Sequence, residues 1–468
     1  MTINTGTASA RPSRSTRNRS VSFLVFVLRF AEEGGVTIPV APAERNENGR
    51  ERVHVRLDTD QHGRPHLPGT SLAGALREMV SDQGGNPDKR FGCLLESGAT
   101  IGAADQIVDA RASDIWVLGS RWLGDEDAAP QFSSRASTKI NRHRGAAEAN
   151  TLRAEEVLPA GTRFEVFLRW DNAAPGEVEE LAGQLAGWRA FLGRGVSRGR
   201  GQCVTESVRH GTLDLTDPND LLQWLTESGP SLARAVATTK TDVPASLESA
   251  HLLSIPLTIV GPWRVGSGDP PTEQLITMLR VNGAPIMPGS ALKGLLRSRA
   301  EFILRTVGVE PAPCQDQTCT KCWTCRVFGS GGGQDQESAT VGQRSAIRVT
   351  DAPIENPVPI QRTHVALDRF TGGALDGALY TVEALEGGTF TLTVDEFSGT
   401  AGDISHEEIR AVLRLVLEDF NDGLIGMGAA TARGYGSVSV GLDTAEASGA
   451  LPTAAQARRI LVGMAGES

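Results

Sequence analysis

Pro68-Gly69-Thr70-Ser71-Leu72-Ala73-Gly74-Ala75-Leu76-Arg77 returns later in the chain as Pro288-Gly289-Ser290-Ala291-Leu292-Lys293-Gly294-Leu295-Leu296-Arg297. In each copy a strand-like run ends at Pro-Gly. A hydroxyl residue then stands where a helix N-cap belongs, and an amphipathic helix follows. The unpaired N–H groups of such a helix start, with Lys or Arg nearby, suit a phosphate. Ser71 and Arg77 in the first copy, and Ser290, Lys293 and Arg297 in the second, are therefore candidate contacts. One copy alone reads equally well as an ordinary capped helix. Two copies in one wider context do not.

That context repeats in order. Val21 to Phe30 is a strand-like apolar run, and His251 to Val260 starts the same pattern again. Leu158-Pro159-Ala160-Gly161-Thr162-Arg163-Phe164 is matched by Leu385-Glu386-Gly387-Gly388-Thr389-Phe390, each leading into an alternating strand. An amphipathic helix is expected over Val178 to Leu192 and another over Ile409 to Phe420. Each is followed by a Gly-rich turn and a strand. The spacings between matched landmarks drift only slowly, so the chain reads as a tandem duplication of one α+β domain. The expected division is a basic arm over 1–20, a first domain over 21–245 and a second over 246–468.

The arm carries Arg11, Arg14, Arg17 and Arg19 and no acid. It could mimic an organellar transit peptide, but a disordered basic arm accounts for it as well. Hydrophobic residues make up 40% of the chain, with 53 Gly and 24 Pro, which indicates a loop-rich globular protein. No apolar run reaches the roughly 18 to 20 residues of a membrane span, and a cytoplasmic protein is expected. A net charge of −10 argues against indiscriminate nucleic-acid binding, though not against a local basic groove.

Two basic features stand out against that charge. Gly193-Arg194-Gly195-Val196-Ser197-Arg198-Gly199-Arg200-Gly201 offers free backbone N–H groups beside guanidiniums, and Gly426 to Gly436, with Arg433, is its counterpart. A strand rather than a helix follows each turn, so a mononucleotide-binding ATPase loop is disfavoured while a phosphodiester backbone suits both. Arg198, Arg200 and Arg433 are the candidates. The second feature is the basic stretch Gln131 to Asn150, where Arg142 and Arg144 read either as RNA contacts or as part of a solvated hairpin. Aromatics are only 5% of residues, so phosphate recognition is expected ahead of base stacking. His143 and His364 read as isolated surface histidines.

Cys314, Cys319, Cys322 and Cys325 supply four thiolates at Cys-x4-Cys-x2-Cys-x2-Cys spacing, enough for a closed structural zinc site. An iron–sulfur cluster is the rival reading, since the first three share plant-ferredoxin spacing, but there the fourth ligand lies far downstream.

Taken together, these motifs resemble the RAMP superfamily of CRISPR proteins. They run from first strand through Pro-Gly-Ser-x-Leu-Lys-Gly helix and Asp368-Arg369-Phe370-Thr371-Gly372-Gly373-Ala374 to the Gly-Thr-x-Phe strand and terminal turn. The likeness extends over nearly the whole chain and is closest to a double backbone subunit of type III-D-like effector complexes. The second half is the more typical copy, since Ala73 replaces the usual Lys in the first. The resemblance implies two tandem modified RNA-recognition-motif (ferredoxin-like) domains, the second with a zinc-binding insertion. It implies an antiviral ribonucleoprotein in which the chain holds CRISPR RNA across two successive segments, with target RNA and other effector-complex subunits as partners. It also implies a thumb hairpin in each half, expected within 110–150 and 333–370, and an RNA contact at Arg369.

In such subunits an acid in the loop after the first strand cleaves target RNA with Mg²⁺. The corresponding acids here are Glu273 and Asp269 in the second loop and Glu51 in the first, and no Asp falls at the family's own position. Two readings of function therefore stay open, an RNA-binding scaffold and a metal-dependent endoribonuclease.

Overall fold

The computed structural model describes residues 19–37, 44–45, 51–92, 112–125, 130–141, 145–149, 151–245, 251–268, 275–309, 321–331, 342–397 and 402–466. It is an α+β protein with two main sheets. One draws its strands from residues between Ser20 and Thr241, the other from residues between Leu253 and Val440.

In the first sheet Ser20–Phe30 lies between Gln202–Asp214 and Arg163–Asp171, antiparallel to both. Leu24, Phe26, Leu28 and Phe30 face helices Gly69–Asp82 and Glu177–Ala186 through Leu72, Leu76, Leu181 and Leu185. Val21, Phe23 and Val25 point the other way, onto Leu232, Ala233 and Val236 of helix Gly229–Val236. Burial on both faces is why this strand reads as an unbroken apolar run. Each such side chain contributes roughly 1.5–3 kcal/mol when fully buried.

The second sheet is open on one side. Leu253–Ile259 runs between Ala374–Glu396 and Val438–Val440. Leu253, Ile255, Leu257 and Ile259 are buried, while Ser254, Pro256 and Thr258 are exposed, the alternation of a half-covered strand. Helices Gly289–Thr306 and His406–Asn421 cover the inner face with Leu292, Leu296, Ile409, Val416 and Phe420.

The duplication shows in matched backbone hydrogen bonds. Gly201 donates to the Glu33 carbonyl at 2.8 Å and Gly436 to that of Pro262 at 2.8 Å. Leu192 donates to Gly201 at 2.9 Å and Met427 to Gly436 at 2.8 Å. Gly34 bridges Leu158 where Trp263 bridges Leu385. These pairs align Arg198 with Arg433, Arg200 with Tyr435, Glu155 with Val382, Arg153 with Tyr380, and Gly35 with Arg264.

Three local expectations need correction. Pro68 and Pro288, not the hydroxyl residues, hold the N-cap positions, and neither has a side-chain cap. Both helices begin at the glycine, where the second receives the Asp351 carboxylate at 2.8 Å from the Gly289 N–H. The expected helix over Val178 to Leu192 stops at Ala186, because Gly187 ends it and Arg189–Phe191 pairs as an edge strand. The exposed hairpin of the second half is Glu355–Leu367 with Ala374–Glu396, so its second strand lies beyond the 333–370 window.

Candidate nucleic-acid interface

The two Gly-rich turns occupy matching places and meet different surroundings. The first packs on the second domain. Gly199 has φ +82°, and a Cβ there would lie 2.6 Å from the Asp351 nitrogen. Arg348, fully buried, donates to the Val196 carbonyl at 3.2 Å and pairs with Asp395 at 2.9 Å and with Glu32. Asp351 pairs with Arg135 at 2.5 Å. Burial pushes the Glu32 carboxyl up to about 7, with Arg348 opposing the shift and Asp351 and Asp395 adding to it.

Glu155, only 2% exposed, is the hub of the first turn. Arg200 donates to it at 2.5 Å, and Arg153 and Arg194 pair with it at 3.2 and 3.7 Å. Burial alone would raise its carboxyl, but Arg200, Arg198 and Arg153 outweigh that and hold it below the usual range. Arg200 is thus committed to an internal ion pair. The charge of Arg198 is felt at the second domain's helix, where Lys293 is buried and donates to the Ile347 carbonyl at 3.4 Å. Burial, and then the charges of Arg297 and Arg198, push the Lys293 ammonium well below its ordinary value. The fold has brought three predicted cations, Arg198, Lys293 and Arg297, from opposite halves to one seam. Ser290 is half-buried in the first turn of the same helix.

Arg77 and Arg297 share a structural task. Arg77 donates to the Gly92 carbonyl at 2.6 Å and pairs with Asp88 at 2.5 Å. Arg297 donates to the Gly329 carbonyl at 2.6 Å and pairs with Glu301 at 3.2 Å. Each arginine ties its helix to the Phe-Gly that closes the next short helix, Phe91-Gly92 and Phe328-Gly329. That Phe-Gly repeat was a further duplicated landmark in the sequence. Ser71 is half-buried in the first turn of its helix.

The second turn is open. Gly434 has φ +80° and nothing among the described residues within 4 Å of a Cβ built on it. Arg433 is exposed, and its Nη1 donates to the Tyr380 hydroxyl at 3.1 Å. Tyr380 stacks on His364 with centroids 5.4 Å apart and planes 25° apart, and His364 Nε2 shares a 3.1 Å hydrogen bond with the Tyr435 hydroxyl. Arg264, Ile276, Val382 and Ala430 complete the walls of a cleft of about 240 Å³. Burial, and then the charge of Arg433, lowers the Arg264 guanidinium from its ordinary value, with Tyr435 opposing. His364, expected as an isolated surface histidine, instead stands between Tyr380 and Tyr435, the chain's two tyrosines.

Arg369 is exposed at the tip of the long hairpin. There the Asp368 carboxylate accepts the N–H groups of Phe370 and Thr371, each at 2.8 Å, which holds its pKa below the usual range. Phe370 beside it is 98% exposed. Asp269, Glu273, Arg142, Arg144, Cys314 and Cys319 lie outside the described residues, and Glu51 is described only as backbone at the start of strand Glu51–Val55. Gly268, which leads into the loop bearing Asp269, abuts Ala136 of the first half. Of the cysteine set, Cys322 caps helix Trp323–Phe328, its Sγ accepting from the Cys325 N–H at 3.4 Å. Cys325 is buried, and its Sγ accepts from Arg297 at 3.3 Å. N–H donors on both of these sulfurs are contacts that metal-bound thiolates accept.

The described residues thus form a tandem pair of α+β domains, each with an Arg-bearing glycine turn. The RAMP superfamily profile matches residues 18–204 and 256–439. The chain belongs to that superfamily of CRISPR-associated, RNA-binding proteins. No curated protein matches it. No helix among the described residues is long and apolar enough to cross a membrane.

Proposed function

We propose that the chain is a double backbone subunit of a type III, III-D-like, CRISPR effector complex in the cytoplasm. It holds CRISPR RNA across two successive segments for recognition of target RNA. The observation that carries this reading is the pair of matching Arg-bearing glycine turns, with Arg198 half-buried in the first and Arg433 exposed in the second. Behind Arg198 stands Lys293, whose ammonium is lowered by burial first and then by the charges of Arg297 and Arg198, and a phosphate of an RNA backbone is an anion such a turn suits. Arg433 carries the same position to the open end. The two turns thus offer two phosphate seats in register with the duplication. The exposed hairpin with Arg369 and Phe370 at its tip is the candidate thumb. Cys314, Cys319, Cys322 and Cys325 hold a structural Zn²⁺ that fixes the insertion after helix Gly289–Thr306, with no open position for catalysis.

Target cleavage with Mg²⁺ is the second reading, favoured by Gly266-Ser267-Gly268-Asp269, which resembles the family's loop and begins beside Ala136 of the first half's strand Ser133–Ser137. Glu273 and Asp269, ahead of Glu51, are its acids.

The test is co-expression of the chain with its neighbouring genes, followed by sequencing of bound RNA. RNAs of uniform length sharing a repeat-derived leading end are expected. Arg198→Ala combined with Lys293→Met should strip RNA from an otherwise folded protein. RNA-free protein in the presence of its partners would sink the reading. Loss of Mg²⁺-dependent cleavage in Glu273→Gln or Asp269→Asn would promote the second one.

A further inference from the structure

The cleft walled by Arg264, His364, Tyr380, Arg433 and Tyr435 has no role in phosphate binding alone. A phosphate seat needs cations and N–H groups, and the first half builds its counterpart from arginines and Glu155. The second half puts rings there instead. Both of the chain's tyrosines stand in this one place, in a protein with 5% aromatic residues, and a histidine from the hairpin root stacks on one of them. The apolar walls of Ile276 and Val382 suit a flat, weakly polar face. Arg264, 7% exposed, lies in the cleft wall, its Nη2 donating to the Ile276 and Thr277 carbonyls at 3.5 and 3.4 Å.

We infer that this cleft is a seat for one unpaired RNA nucleotide, whose base stacks against the His364–Tyr380 pair while Arg433 takes its phosphate. The inference rests on the RNA-binding reading above and adds to it the recognition of a base. Aromatic faces are how proteins hold splayed bases of single strands, and an arginine beside them serves the phosphate and the ring together. The Tyr435 hydroxyl, fixed by His364, offers a polar contact to the base. The hairpin contributes His364 and Tyr380, the first-strand loop Arg264, and the turn Arg433 and Tyr435, so the seat exists only where all three landmarks converge.

The full-length protein is titrated with a short single-stranded RNA built of a fluorescent adenine analogue whose emission falls on stacking. A matching sugar–phosphate chain without bases is the control. The wild type should quench the analogue and bind it about tenfold more tightly than the baseless chain. Tyr380→Leu should bind the RNA about tenfold more weakly than Tyr380→Phe, without quenching, and bind the baseless chain as Tyr380→Phe does, since both lose the hydroxyl that meets Arg433. Tyr380→Phe keeps the ring and should keep both signals. His364→Leu removes the other half of the pair and gives the same answer if Tyr380→Leu does not fold. Unchanged quenching in the folded leucine variants, or equal wild-type affinity for RNA and baseless chain, overturns the seat and leaves the phosphate-binding subunit standing. If the wild type binds neither, both readings fall.

Discussion

Glu155 and Val382 hold the same position in two copies of one domain, and almost everything around them differs. Around Glu155, Arg153, Arg194 and Arg200 close an ion-pair cluster beneath a turn that the second domain covers. Around Val382, Tyr380 and Tyr435 replace Arg153 and Arg200, and the turn above stays open. The backbone hydrogen bonds of the two turns are the same. Glycine conformation and strand pairing therefore maintain the fold, which leaves the side chains free to become a seam in one copy and a surface in the other. A duplicated domain that meets its twin through one face must resolve that asymmetry, since the first copy's turn is covered by the second and the second copy's is not.

The sharpest way to break the comparison is at its centre. Glu155→Ala leaves Arg200 buried without its carboxylate and should cost about 3–5 kcal/mol, read as a shift in the urea midpoint of the first domain. Val382→Ala removes only methyl groups and should cost about 2 kcal/mol. Equal losses would mean that the charge cluster is too well solvated to differ from an apolar contact.

The turns themselves give a matched pair. Gly199 and Gly434 have φ of +82° and +80°, so an alanine at either carries the same left-handed strain, about 1–2 kcal/mol. At Gly199 the new Cβ also runs into Thr350 and Asp351 backbone, at 2.7 and 2.6 Å, which adds about 1–3 kcal/mol of overpacking. The expected difference between Gly199→Ala and Gly434→Ala is thus the cost of prising the domains apart. Identical values by chemical denaturation would show that they separate freely.

A pH series sharpens the seam further. Glu32 has its carboxyl raised from 4.5 to about 7, chiefly by burial, while its counterpart Gly261 cannot ionise. A raised carboxyl means the folded state holds the proton longer than the unfolded state. Its contribution is therefore fully present below about 4.5 and lost as pH rises through about 7. Thermal stability should fall across that window, and Glu32→Gln should flatten the slope. An unchanged slope in Glu32→Gln would assign it elsewhere.

Much of this architecture was legible in residue order. Pro-Gly helix starts, Gly-Thr-x-Phe strands and glycine turns mark backbone conformations that few other residues adopt, and they recur visibly. The first strand's apolar run signalled burial on both faces, but not that Leu232 and Val236, two hundred residues later, fold back to cover the second one. The fates of the cations were hidden for a similar reason. Arg77, Arg297 and Arg200 look alike in sequence, yet carbonyls and carboxylates brought in by tertiary packing decide that they tie the fold together. His364, Tyr380 and Tyr435 come from a hairpin and a distant turn, and no spacing rule relates them before the hairpin register pairs the first two.

The smallest expected effect lies in the wall of the open cleft. Ala430 has φ +63°, left-handed for a residue with a Cβ, where the first half has Gly195 at φ +80°. Holding an alanine there costs about 1–2 kcal/mol, of which a glycine returns roughly half after its greater unfolded-state freedom is counted. Ala430→Gly should therefore stabilise the second domain by about 0.5–1 kcal/mol in a denaturant titration. Strain kept beside a ligand site is retained when the strained group has a task. Here the task is the methyl that Ala430 adds to the cleft wall, so the stabilised variant should also bind base-bearing RNA slightly less well and the baseless chain equally. A variant that gains stability and loses no affinity would strip Ala430 of that task. One that loses stability would show that its methyl is held by contacts worth more than the strain.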